Sequence, residues 1–180
     1  MSEIEVNTIK LAYLKGVSKS LSHITIGEVP AREIKAVSIL CSLHEMQKNQ
    51  RIIMDFNEEL VKKGKNVKTA ILYPTKDGKT ISSEYTLDYV PMILKDFNMF
   101  GLPKTEKAKS FFNSKCDLLI IIDPKIGIHA LGASIATNAA YRIAPYNVAY
   151  KRFFNVLLKC EDKKDTNEYL CSIRNFLNHI

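Results

Sequence analysis

At 180 residues the chain is long enough to bury a core of its own without staples, and 46% hydrophobic with 25% charged residues excludes wholesale disorder. Its longest uninterrupted apolar run, Leu118 to Ile122, is far too short to span a bilayer. The formal charge of +7 favours acidic partners such as nucleic acid, anionic lipid or a phosphorylated ligand.

The chain opens with "MSEIEVNTIKLAYLKG", in which Glu3 and Glu5 stand where a secretory leader carries positive charge, and no apolar segment follows. The expectation is a cytoplasmic protein. Cys41, Cys116, Cys160 and Cys171 lie far apart, which fits reduced thiols and disfavours a structural zinc site. Val6, Ile9, Tyr13, Val17 and Leu21 recur at helical spacing and predict a helix over residues 5–21, with Lys10, Lys15 and Lys19 on the remainder and no acid between Thr8 and Thr25. "HITIGEVPARE" then reads as a loop. Residues 1–33 are taken as a basic helical appendage and residues 34–180 as a single α/β domain. The helix has three uses open to it: packing on the domain, pairing in a homodimer, or lying on an acidic surface.

"IKAVSILCS" is a β-branched run suited to a buried strand. Ser42-x-x-Glu45 is a capping box that starts a helix, whose inner stripe is Met46, Ile53, Phe56 and Leu60 and whose end is Gly64. "VKTAILY" completes a βαβ unit, so its strand should run parallel to the first. Over residues 79–100, after the turn signal Asp77-Gly78, Pro91 interrupts an apolar stretch that suits a strand or a short helix. "KTEKAKSFFNSK" predicts a helix with Ala108, Phe111 and Phe112 inward. "CDLLIIID" is hydrophobic without alternation and therefore belongs at the centre of a parallel sheet. Ile128, Leu131, Ile135 and Ala139 then form a helical face, "YRIAPY" and "FFNVLLKC" read as strands, and Asp165 to Glu168 caps a last helix carrying Leu170, Ile173 and Leu177. The order implies a three-layer α/β sandwich with a mainly parallel sheet, Rossmann- or flavodoxin-like.

Ligands of such sheets bind beyond the strand carboxyl ends, where the winding reverses. If the first strand and the "LLIII" strand flank that point, Ser42, His44 and Glu45 meet Asp123, Lys125 and Gly127 there. That crevice suits acid–base chemistry or phosphate binding at helix N-termini, although capping explains Ser42 and Glu45, and Asp123-Pro124 is an ordinary way to end a strand. Gly127 and Gly132 have P-loop spacing, but Ala133 stands where the motif needs lysine. No other catalytic motif is present, so the reading leans away from an enzyme and implies no cofactor and no metal.

From Pro124 to Cys160 there is no acid and there are five cations. "YRIAPYNVAYKRFF" interleaves Tyr141, Tyr146 and Tyr150 with Arg142, Lys151 and Arg152. Cations between stacking rings suit single-stranded nucleic acid or another anion, whereas half-buried tyrosines with wet hydroxyls account for the same pattern structurally. Three functions are therefore carried forward. They are a non-catalytic module that associates with itself or an acidic macromolecule, a nucleotide- or phosphosugar-binding protein or transferase-like enzyme, and nucleic-acid binding through residues 124–160.

Taken together, "EELVKKGKNVKTAILYP", "LKDFNMFGLPKTEKAKSFF", "CDLLIIIDP" and "HALGASIATNAAYRIAPY" resemble an uncharacterised Bacteroidota family of small α/β proteins of unknown function. Its members share a basic N-terminal segment and a step of the form Asp-(Leu/Phe)-Asn-(aromatic or apolar)-x-Gly-x-Pro, here Asp96 to Pro103. The resemblance runs from about Lys35 onward and implies no activity; the chain departs from the family pattern at "DPKIG", where many relatives look more acidic or polar. The "DLLIIID" strand followed by a helix and Ala-x-Tyr-Arg-Ile is also similar to the acceptor half of two-part sugar transferases, but the length has room for one half only.

Overall fold

A computed structural model describes residues 8–18, 34–76, 89–123, 127–147, 150–161 and 165–179. In chain order its elements are α1 (Thr8–Val17), β1 (Ala36–Ser42), α2 (Leu43–Lys62), β2 (Asn66–Tyr73), β3 (Tyr89–Ile93), α3 (Glu106–Asn113), β4 (Leu118–Ile122), α4 (Ile128–Ala136), β5 (Tyr141–Pro145), β6 (Val156–Leu158) and α5 (Thr166–Asn178). Every strand pairing is parallel, and the six strands lie in the order β3-β2-β1-β4-β5-β6. The winding thus reverses between β1 and β4, which meets the condition on which the sequence reading placed its crevice.

The alternation of each strand divides the core in two. Val37, Ile39, Cys41, Ile71, Ile120 and Ile143 face α2 and α5, meeting Met46, Ile53, Phe56, Leu60, Leu170 and Ile173. Leu40, Ala70, Leu119, Ile121 and Ala144 face the other way, toward Leu14 of α1, Phe112 of α3 and Leu131 of α4. All five residues of β4 are buried, which is why that strand carries no polar position. The result is a three-layer sandwich.

Two expectations change. The helical face ending in Ala139 is shorter than expected: α4 stops at Ala136 with Thr137 extended at its C-cap, and Ala139 lies buried in the connection to β5. The stripe that marks α1 in the sequence turns outward. Leu14 is the residue α1 buries against α4, whereas Ile9, Tyr13 and Val17 are exposed. Leu11 and Leu14 supply a second apolar side, so periodicity alone does not say which side packs. Residues 5–7 and 19–33, the Asp77-Gly78 turn and residues 79–88 lie outside the described residues.

The uncertain middle contains an edge strand, β3, followed by a 3-10 turn at Leu94–Asp96. Pro91 is tolerated there because it has no N–H to offer an outer neighbour. The neighbouring outward groups are already engaged: Lys107 Nζ donates to Pro91 O at 2.7 Å, and Ile93 N–H donates to Asp96 Oδ2 at 2.9 Å. That edge is closed to strand addition at these positions.

Asp96 also begins the motif that the resemblance singles out, and the structure gives its physical reason. Its Oδ1 accepts from the Thr105 hydroxyl at 2.8 Å and its Oδ2 pairs with Lys107 at 2.7 Å. Asn98 Oδ1 accepts from the N–H groups of Phe100 and Leu102, and Phe97 bridges to Pro103, closing a tight loop. At its tip Gly101 has φ +81 and lies against α4. A Cβ on Gly132 would sit 1.9 Å from Gly101 O, and one on Gly101 would sit 2.3 Å from Ile128 O. The backbones of loop and helix are in direct contact, and only glycine permits it.

Gly132→Ala should therefore cost about 1–3 kcal/mol by overpacking, which corresponds to about 2–4 °C of melting temperature per kcal/mol in a chain of this size; an unchanged melt would contradict the contact. Burial pulls the Asp96 carboxyl upward, but Lys107, the Ile93 N–H and the Thr105 hydroxyl hold it below the usual carboxylate range. A depressed value in the folded state stabilises the protein above the unfolded value of about 3.9 and is lost as the pH falls through the folded value. Asp96→Asn should lower stability by about 1–3 kcal/mol at neutral pH, and the gap to wild type should narrow below about pH 4. Urea titrations that find the same gap at neutral and acid pH would refute this role.

Candidate functional site

The carboxyl ends of β1 and β4 do bring Ser42, Glu45 and Asp123 together, but much of their polarity is already used. Ser42 has extended backbone and caps α2, its hydroxyl accepting from Glu45 N–H at 3.4 Å. Half of the expected capping box forms. The Glu45 side chain crosses instead to α5, where its Oε2 accepts from the Thr166 hydroxyl at 2.7 Å and from Asn49 Nδ2 at 3.0 Å. Asn49 Nδ2 also reaches Thr166 Oγ1 at 3.0 Å, and Asn49 leaves helical geometry to do so, with φ −127 and ψ 28. The buried carboxylate is thereby satisfied and ties the first turns of α2 and α5 together.

His44 stands exposed on the first turn of α2. Gly127 is the N-cap of α4, its carbonyl accepting from Ala130 and Leu131. Lys125 lies outside the described residues. The Cys41 thiol, beside this cluster, is held far above its ordinary range, chiefly by burial and then by the carboxylates of Glu45 and Asp123. It stays protonated and is a poor nucleophile.

A wider, open cleft of about 410 Å³ lies elsewhere, between α2, β2 and Tyr89, while at the strand carboxyl ends a crevice forms one strand further along. Ile122 and Asp123 after β4, Pro145 and Tyr146 after β5, Leu158, Lys159 and Cys160 after β6, and Thr166 and Tyr169 of α5 line it. Its enclosed space is about 30 Å³, room for a water or two and about a tenth of what a drug-sized ligand fills. Burial first, then Glu168 and Asp165, raise the Cys160 thiol. Burial likewise raises Tyr169, whose hydroxyl donates to Ile121 O at 3.0 Å. Among the described residues no group of three or more His, Cys, Asp or Glu side chains is placed to hold a metal. Within the described residues this rim offers a small, mostly apolar pit edged by Asp123 and Lys159.

Of these residues the sequence offered Asp123 for the crevice and Tyr146 as an anion or nucleic-acid contact; Thr166 and Tyr169 were not legible, because α5 reaches the rim only through long-range packing.

The cation and tyrosine series is distributed rather than gathered. Arg142 is 9% exposed, and its guanidinium donates to Ser134 O and Thr137 O, each at 2.8 Å. It satisfies the last carbonyls of α4, where a cation also complements the helix dipole; burial lowers its pKa. Tyr150 is buried, and that burial raises its phenol. Tyr146 is partly exposed at the crevice, and Lys151 and Arg152 are exposed in the turn that follows Tyr150.

A double-mutant cycle tests the α2–α5 tie. Thr166→Val and Glu45→Ala should each destabilise by about 1–3 kcal/mol and show a coupling of at least about 0.5 kcal/mol. Strict additivity in urea denaturation would remove the tie from the account.

No curated protein and no solved structure matches the chain. The signature of a family of unknown function, DUF6913, matches residues 10–180 and so takes in α1 from Lys10 onward, the Asp96–Pro103 loop and all six strands. The chain belongs to that family.

Proposed function

We propose that the chain is a non-catalytic protein that works by association, through the surface built from α1 and the loop at Asn98–Gly101. The observation that carries this reading is the outer side of α1: Ile9, Tyr13 and Val17 are 75%, 43% and 40% exposed. Met99, 69% exposed, extends the apolar surface, and the Phe100 ring stacks on Tyr13 with centroids 3.9 Å apart. Scattered apolar residues on a surface need no explanation, whereas a contiguous set on one helix and its neighbouring loop marks an interaction site. The rim at the strand carboxyl ends supports the same reading from the opposite side. Glu45, Thr166, Ser42 and Tyr169 are engaged in structure there, and both buried thiols are pushed toward the inert form.

The test compares the native size of the chain in an extract of its source cells with that of the purified chain. A species larger than the monomer is expected, returning to monomer size with Tyr13→Glu while circular dichroism stays unchanged. A monomer in the extract, or a turnover abolished by Asp123→Ala without loss of fold, would overturn the reading.

A further inference from the structure

We infer that His129 is a proton-operated latch on α1: a proton added to its imidazole loosens the seat of α1 on α4, so that α1 is held firmly at neutral pH and released as the pH falls. The latch concerns how α1 is held and does not depend on what covers its outer side. Three elements meet at His129. It lies on the first turn of α4, partly buried, and its ring stands edge-on to Phe97 of the glycine-bearing loop, with centroids 5.1 Å apart. α1 packs on α4 through buried Leu14. Lys10 stands one turn before Leu14 on that packed side, is itself partly buried, and acts on His129 across the interface.

The surroundings oppose a second cation. Residues 97–103 of the loop carry no charge, and neither does α4 apart from the imidazole. α3 also packs on α4, but its Lys107 and Lys109 are paired with Asp96 and Glu106. β4 is apolar throughout, and Arg142 of β5 is bound at the opposite end of α4. Among the described residues Lys10 is thus the charge that acts on His129; Glu3, Glu5 and Lys125 lie outside them. Burial first, and then Lys10, hold the imidazole below its ordinary range. A folded value below the unfolded value of about 6.5 gives stability that is complete above that unfolded value and is lost as the pH falls through the folded one. Part of the cost comes from α1 itself, through Lys10. Removing α1 therefore makes the proton easier to add, and by reciprocity the proton makes α1 easier to remove. The carboxyl of Asp96, held below the usual carboxylate range, titrates at lower pH. The other described histidines, His44 and His179, belong to α2 and the end of α5, on the far side of the sheet.

Backbone amide exchange in the purified full chain, corrected for the intrinsic rate at each pH, measures the seat of α1. Between about pH 7.5 and about pH 5.5 the protection of α1 should fall by about threefold or more, the change to which half a pKa unit corresponds. His129→Phe, which keeps a ring against Phe97 without a titrating group, should remove that dependence, and Lys10→Met should weaken it. An NMR titration keeps the test decisive if His129→Phe does not fold: His129 should titrate below about 6.5 in the wild type and move up toward that value in Lys10→Met. Equal protection of α1 at the two pH values, a fall that persists unchanged in the variants, or a His129 that titrates at or above about 6.5 would overturn the latch.

Discussion

Two glycines in backbone contact govern the geometry of one whole face of this protein. Because Gly101 and Gly132 have no side chains, the loop after β3 seats directly on α4. Seating the loop places Phe100 where it stacks on Tyr13, and that stack together with buried Leu14 fixes how α1 lies. A methyl group at either glycine would push loop and helix apart, and the consequence would travel through Phe100 to α1. The Asp96–Pro103 step is therefore a structural device, and its polar members serve it: Asp96 anchors the start, Asn98 closes the turn, and Lys107 shields the edge strand.

The opposite face and the strand carboxyl ends are organised by burial. In a doubly wound sheet the mouth between β1 and β4 is where ligands ordinarily sit. Here Glu45 spans from α2 to Thr166 of α5, an interaction between residues 121 positions apart. It satisfies a carboxylate that would otherwise be costly to bury and draws the two helices together over the sheet. At the far end of α4, Arg142 performs a comparable service for orphan carbonyls. The apolar surface remains on α1 and the adjoining loop, where Ile9, Tyr13, Val17 and Met99 are exposed.

What the sequence revealed and what it concealed follow the range of the interactions involved. The all-apolar β4, the amphipathic α2 with its Ser42 cap, and the βαβ order are local patterns, and each predicted its element; that β1 and β4 flank the reversal entered the sequence reading only as a condition, which the strand order meets. The direction in which α1 faces was not legible, because Leu11 and Leu14 on one side and Ile9, Tyr13 and Val17 on the other are both apolar. Nor was the destination of Glu45, since Ser-x-x-Glu spacing is satisfied equally by a capping box and by a carboxylate that leaves for another helix. Gly101 was visible only within a loose motif and Gly132 only by its spacing from Gly127; what joins them is a tertiary contact between backbones.

The central claim is that the exposed row on α1 is covered when the protein is at work. Hydroxyl-radical footprinting at Ile9, Tyr13, Val17 and Met99 measures this directly, in the purified chain and in an extract of its source cells. The account predicts strong labelling at all four in the purified chain and clear protection of the α1 residues in the extract, with an exposed residue on the far side, such as Val61, labelled alike in both. Equal labelling of α1 in the two states would contradict it.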